Sequence, residues 1–157
     1  VELLLQSNCE VDVQNECGYS ALICATEHGH TRIVELLLQS NCEVDVQNRY
    51  GHSALICASN EGHTPIVELL LQSNCAVDLQ NKDGDSALIL AADKGHTPIV
   101  ELLLQSNCAV DLQDEDGVSA LIRAAKRGRT PIVRMLLLHP SRVIFRVARF
   151  PLTPAID

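Results

Sequence analysis

Three histidines, His30, His63 and His96, and four cysteines, Cys9, Cys42, Cys75 and Cys108, recur at an interval of 33 residues. Histidine and cysteine are the side chains that ligate zinc and carry acid-base or nucleophilic catalysis near neutral pH. The interval argues against both. Copies 33 residues apart belong to successive structural units, and stacked helices lie about 10 Å from one another. That is too far for shared tetrahedral ligands and beyond the roughly 7 Å Cα separation a disulfide spans. No C-x-x-C, G-x-x-x-x-G-K-[ST], G-x-S-x-G or H-E-x-x-H occurs. No serine or cysteine nucleophile is held beside the histidines and no carboxylate pattern tracks them, so they are expected to satisfy backbone groups of a local turn. These four cysteines, of an odd total of seven, are expected to be free thiols in small buried sites. Neither a metal nor a cofactor is called for, and no catalytic residue is expected.

The elements that would position these residues follow from the same interval. Val-Glu-Leu-Leu-Leu-Gln-Ser-Asn-Cys stands at Val1–Cys9, Val34–Cys42, Val67–Cys75 and Val100–Cys108, and a fixed period of this length means a repeat array. Thr97 is placed to cap a helix with Pro98 at its first position. Ile99, Leu102 and Leu103, with Val100 and Leu104, form two adjoining apolar stripes that leave Glu101 and Gln105 as the wet edge. Such a helix needs a neighbouring unit to cover it. Asn107 ends it as a left-handed cap. Each unit opens on a tight turn with Asn or Asp first and Gly fourth: Asn15 to Gly18, Asn48 to Gly51, Asn81 to Gly84, Asp114 to Gly117. Ser20, Ser53, Ser86 and Ser119 are placed to cap a short first helix that ends at Gly29, Gly62, Gly95 and Gly128.

At 157 residues, 46% apolar and only 3% aromatic, the chain suits thin layers of short helices better than a sandwich or barrel built on large rings. No apolar run reaches the roughly 18–20 residues of a membrane span, and the start lacks signal-peptide flanks. The chain begins without Met in mid-repeat, as a piece of a longer protein would. Free thiols and the absence of an N-x-[ST] sequon favour a reducing compartment, the cytoplasm first and the nucleus second. The net charge of −8 is uneven. Residues 1–113 hold four Lys/Arg against sixteen Asp/Glu and residues 114–157 eight against four, so the two parts carry −12 and +4. The acidic body argues against nucleic acid as a partner.

The unit Asn81-Lys-Asp-Gly84-Asp-Ser-Ala-Leu88-Ile-Leu-Ala91-Ala92-Asp-Lys-Gly95-His96-Thr-Pro-Ile99-Val100-Glu-Leu102-Leu103-Leu104-Gln-Ser-Asn107-Cys108-Ala-Val-Asp111 resembles an ankyrin repeat, whose pattern runs D-x-x-G-x-T-P-L-H-x-A-A-x-x-G-H-x-x-I/V-V-x-L-L-L-x-x-G-A-D. It departs from that pattern in Ser-Ala-Leu-Ile for Thr-Pro-Leu-His and Asn-Cys for Gly-Ala. The resemblance implies an all-α solenoid of stacked helix-turn-helix units with projecting β-turn or hairpin fingers. It divides the chain into an ankyrin-repeat domain at 1–140, with a partial repeat 1–14 and repeats 15–47, 48–80, 81–113 and 114–140, and a divergent cap or tail at 141–157. In the last unit Arg129 replaces the recurrent His, Arg134 replaces Glu and Met135 replaces Leu, giving an end unit the polar outer face it needs. Pro140 closes the last helix. The tail is open between a short helix over the array's end, an extended segment and disorder.

The second helices are nearly identical from unit to unit, whereas the turns and first helices differ. Turn positions read Glu16, Cys17 and Tyr19; Arg49, Tyr50 and His52; Lys82, Asp83 and Asp85; Glu115, Asp116 and Val118. First-helix positions read Cys24, Glu27 and His28; Cys57, Asn60 and Glu61; Leu90, Asp93 and Lys94; Arg123, Lys126 and Arg127. The resemblance implies that these positions line a concave groove in which partners dock. The expected partner-binding set is therefore Glu16, Tyr19, Glu27, His28, Arg49, Tyr50, His52, Asn60, Glu61, Lys82, Asp83, Asp85, Asp93, Lys94, Asp116, Arg123, Lys126 and Arg127. Exposed rings such as Tyr19, Tyr50 and His52 are favoured as contact centres. Arg123, Lys126 and Arg127 read as a basic cluster facing acidic Glu27 and Glu61 at the other end, a gradient that would orient a partner. The expected function is non-catalytic binding of a protein or peptide by a chain that is monomeric on its own, without insertion into a membrane. A structural spacer in a longer solenoid, or the targeting or regulatory part of a larger enzyme or channel, are the alternatives.

Overall fold

A computed structural model describes residues 10–140. The expected second helix within residues 1–9, Cys9, and the tail 141–157 lie outside the described residues. Eight helices follow in order: α1 (Ala21–Glu27), α2 (Thr31–Gln39), α3 (Ala54–Glu61), α4 (Thr64–Gln72), α5 (Ala87–Lys94), α6 (Thr97–Gln105), α7 (Ala120–Lys126) and α8 (Thr130–Leu138). Odd-numbered helices are the short first helices and even-numbered ones the second helices. Each pairs with its partner in the unit and with its counterparts in the adjoining units, giving two parallel layers. Among the described residues the only β pairing is an isolated antiparallel bridge at Gln80–Ser86 and another at Gln113–Ser119, which close two of the fingers.

The turn chemistry explains the fingers. Gly51 N–H donates to the Asn48 carbonyl at 2.9 Å, and the Asn48 side chain accepts from Tyr50 N–H and His52 N–H, both at 2.9 Å. Asn81 and Asp114 repeat this arrangement. A short side-chain acceptor at the first position thus holds the turn closed, while the fourth position takes positive φ, where Gly carries no steric cost. Ser20, Ser53 and Ser86 accept from the N–H of Ile23, Ile56 and Ile89 as expected caps. Ser119 keeps the same backbone angles but makes no capping bond.

Second helices start differently from the sequence expectation. Thr97 is not the cap: it is the first helical residue, Pro98 the second, and His96 stands at the cap without a side-chain bond. The reason is an inverse γ-turn. His96 sits at φ −77°, ψ 72°, and Thr97 N–H donates to the Gly95 carbonyl at 2.9 Å. The backbone reverses in three residues and satisfies its own donors. Asn41, Asn74 and Asn107 end α2, α4 and α6 at φ 53°, 54° and 55°, the left-handed cap the sequence predicts.

The histidines serve the stack rather than their own turn. His63 Nε2 donates to the Glu27 carbonyl at 3.4 Å, and His96 Nε2 to the Asn60 carbonyl at 3.2 Å, each a whole unit away. Each ring lies over the glycine of the preceding unit, so that a Cβ on Gly62 would stand 2.6 Å from His96 Cε1. Arg129 takes the same place over Gly95 and remains exposed. Fingers are joined in the same rhythm. Arg49, Lys82 and Glu115 N–H groups donate to the carbonyls of Cys17, Tyr50 and Asp83 at 3.0–3.1 Å. The Gln47 amide bridges Gly51 and Gln80 carbonyls, and Gln80 does the same for Gly84 and Gln113.

The core is aliphatic and continuous. Ile23, Ile56 and Ile89, Val34, Val67 and Val100, and Leu70, Leu103 and Leu136 are buried, with Ala54, Ala87 and Ala120 fully enclosed where first helices meet. Cys42, Cys75 and Cys108 are buried free thiols, and burial pushes the last two up to about 11. Two polar atoms break the pattern: the hydroxyls of Thr26 and Ser59 are buried without a hydrogen-bond partner, where α5 has Ala92. An orphaned buried hydroxyl costs about 1–3 kcal/mol, and Ala is the better helix former. Ser59→Ala is therefore predicted to raise stability by about 1 kcal/mol, read as a higher urea midpoint at unchanged slope; a lower midpoint would show that the hydroxyl has a partner.

Candidate partner-binding groove

Short first helices and fingers share one side of the stack, because α1, α3, α5 and α7 pack mainly on one another and on their own second helices. Between α3 and α5 this side opens into a cleft of about 210 Å³, lined by Glu27, His52, Ile56, Cys57, Asn60, Glu61, Asn81, Asp83, Asp85 and Leu90. Six of these, Glu27, His52, Asn60, Glu61, Asp83 and Asp85, are in the set expected from sequence. Four carboxylates face a space floored by two aliphatic side chains and a thiol. The Cys57 thiol is pushed up to about 12 by burial and then by Glu27 and Glu61, so it is protonated and inert at neutral pH.

The finger of residues 48–52 borders the cleft. Tyr50 is 56% exposed, and its ring centroid lies 6.4 Å from that of His52 at 43°. His52 Nε2 stands 3.2 Å from the Asn81 side-chain nitrogen. An amide nitrogen only donates, so Nε2 accepts in this contact. Asn48, the counterpart of Asn81 one unit earlier, has an unpartnered amide nitrogen, for Tyr19 stands where His52 would receive it. Burial and Glu27 push the Tyr19 phenol above its usual value.

The remaining expected residues divide. Glu16, His28, Arg49, Lys82, Lys94, Asp116 and Lys126 are exposed; His28 Nδ1 lies 2.9 Å from the Cys24 carbonyl, and its ring stacks on His30 with centroids 6.0 Å apart. Asp85 and Asp93 are each 8% exposed, and both are engaged by the chain's own arginines. Arg123 reaches Asp114 at 2.7 Å, Asp85 at 3.3 Å and Asp93 at 4.0 Å. Arg127 donates to both Asp93 oxygens at 2.9 and 3.2 Å. The basic cluster read from sequence is therefore largely compensated inside the molecule, and Lys126 is the member outside these ion pairs. Asp114, the anchor of Arg123, is a site residue the sequence reading did not select; its signal was an acid where earlier units have Asn15, Asn48 and Asn81, nine positions before Arg123.

The carboxylates titrate differently as a result. The Arg127 hydrogen bond holds Asp93 below the usual carboxylate value. Burial pushes Asp114 upward, but hydrogen bonds from Arg123 and the backbone of Val118 and Asp116 outweigh it and the group ends low. For Asp85 burial wins over Arg123 and the group ends high.

Two-layered helix pairs with projecting fingers, stacked unit on unit, define the class: a helical-repeat solenoid. A family model described as ankyrin repeats in three copies matches residues 1–80 and 64–144. The chain belongs to the ankyrin-repeat family, whose repeats are generally protein–protein interaction modules and typically non-catalytic. No curated protein matches the sequence. Among the described residues no helix is long and apolar enough to cross a membrane.

The ion pairs give a pH prediction. Asp93 and Asp114 titrate below their unfolded value of 3.8, so their stabilisation is complete above that pH and is lost as pH falls through the lower folded values. Asp85 has the opposite sign: its charge disfavours the fold at neutral pH, and protonation on acidification relieves it. Arg123→Met is predicted to lose about 2 kcal/mol at pH 7, with the gap to the parent closing below pH 4, followed by urea unfolding across pH. A gap independent of pH would mean that Arg123 contributes through packing alone.

Proposed function

We propose that the concave face formed by the fingers and first helices binds a segment of a protein partner, and that the chain acts as a non-catalytic recognition module. The observation that supports this most is the cleft between α3 and α5, which gathers eight of the residues that differ between units. A preformed concavity with aliphatic floor and polar rim is what a recognition site requires. Tyr50 beside it supplies exposed aromatic area at low entropy cost. Rigid ladders of inter-unit bonds support the reading too, since a pre-organised surface loses little freedom on binding. Free buried thiols favour a reducing compartment, the cytoplasm or nucleus, and the uniform stack favours a monomer.

One observation favours a spacer instead. From α2 to α6 the second helices repeat Glu35, Glu68 and Glu101 and Gln39, Gln72 and Gln105 on the outer side, as a uniform strut would, and only α8 departs with Arg134 and Leu138. Selection from a displayed peptide library separates the two. Selected peptides are predicted to lose about tenfold or more in affinity for Tyr50→Ala combined with Glu61→Lys, and to retain it for Glu68→Lys on the outer side. Failure to select any peptide, or peptides indifferent to the groove substitutions, would leave the spacer reading. A targeting or regulatory role within a larger enzyme or channel is compatible with groove binding and is decided by the full-length gene.

A further inference from the structure

The repeat lets one inter-unit junction be compared with the next. Moving 33 residues along the chain carries His52 onto Asp85, Asn60 onto Asp93, Asn81 onto Asp114 and Leu90 onto Arg123. At the junction of α5 and α7, the Arg123 side chain extends into the place that corresponds to the cleft, and its guanidinium meets Asp114, Asp85 and Asp93 at 2.7, 3.3 and 4.0 Å. At the junction of α3 and α5, Leu90 is too short to reach so far. The space stays open at about 210 Å³, with Glu27, Glu61, Asp83 and Asp85 around it.

We propose that the open cleft receives an arginine side chain from the partner segment, held among Glu27, Glu61, Asp83 and Asp85; the three acids that hold Arg123 correspond here to His52, Asn60 and Asn81, so the carboxylates are not those of the next junction. The inference rests on the groove reading and narrows it to a residue type. Asp85 belongs to both junctions: it is 8% exposed and lines the cleft, while its contact with Arg123 is the longer of that residue's two hydrogen bonds. Burial outweighs that contact in setting its titration, so Asp85 has electrostatic capacity for a second cation. Arginine fits better than lysine. Its planar fork presents several donors to carboxylates that stand on different elements, whereas an ammonium is a compact point charge. Ile56 and Leu90 offer apolar surface to the aliphatic stem.

The test is a ¹H–¹⁵N NMR titration of the whole chain with three blocked amino acids as probes: N-acetyl-arginine methylamide, its neutral isostere N-acetyl-citrulline methylamide, and N-acetyl-lysine methylamide. The arginine probe is expected to shift the amides of Cys57, Glu61 and Asp85 at millimolar concentration, the lysine probe less, and citrulline not at all. Glu61→Gln, on an exposed position, is expected to weaken the arginine probe by about tenfold, as is Asp85→Asn. Leu90→Arg is expected to abolish its effect, because the chain then fills the cleft with its own guanidinium. Equal shifts with citrulline, or arginine shifts unaltered by Glu61→Gln and Leu90→Arg, would overturn the proposal. Library peptides that bind the groove without an arginine would overturn it while leaving groove recognition intact; arginine shifts at the cleft with no selectable peptide would leave a guanidinium site without a partner segment and so overturn both.

Discussion

Everything in this stack depends on neighbouring units coming closer than a side chain would permit. Gly18, Gly51 and Gly84 meet the backbone of the next finger, where an added Cβ would stand 2.7–2.9 Å from its nearest atom. Gly29, Gly62 and Gly95 meet the side chain of His63, His96 or Arg129 at 2.6–2.8 Å from the same imagined atom. These six positions also need positive φ, which Gly adopts freely. A single residue type therefore turns the chain and admits its neighbour. In the last described unit Gly117 and Gly128 meet nothing within 4 Å among the described residues, and Ile122, the counterpart of fully enclosed Ile89, is 44% exposed. The contrast measures what a following unit does for the one before it.

This close approach separates architecture from specificity. Backbone carbonyls, Gln47 and Gln80 amides, and the histidine rings join the units with groups that are the same at every step. Side chains on the concave face are not tied to that recurring pattern and differ from junction to junction. At one junction the variation yields a buried ion-pair network around Arg123; at the preceding one it leaves a carboxylate-lined cleft. The same frame thus holds a closed and an open version of one site. Breaking a buried charge network by removing one member costs more than forming it gains, so Arg123, Asp93 and Asp114 are constrained together in a way that Lys126 and Lys94 are not.

Most of the frame was legible in the sequence because it is encoded locally. The 33-residue interval, the Asn-to-Gly turns, the serine caps of α1, α3 and α5 and the asparagine ends of α2, α4 and α6 all depend on residues within a few positions of each other. What escaped was encoded across units. His63 and His96 bond to carbonyls 36 residues away, so a local reading assigned them to their own turns. Thr97 looked like a cap because the inverse γ-turn at His96 has no sequence signature of its own. Arg123 and Arg127 looked like a free basic cluster, since their carboxylate partners lie 9, 34 and 38 residues away. Which positions vary was readable unit by unit, whereas the charge of that face followed only from who pairs with whom.

The central claim is that the finger and first-helix face, and not the outer face, meets the partner. Hydrogen–deuterium exchange by mass spectrometry, with and without a bound library-selected peptide, tests it directly. The account predicts slowed exchange in residues 48–62 and 81–94, which hold two fingers together with α3 and α5, and unchanged exchange in α4 and α6. Protection centred on Thr64–Gln72 and Thr97–Gln105 would contradict it and place recognition on the uniform side of the stack.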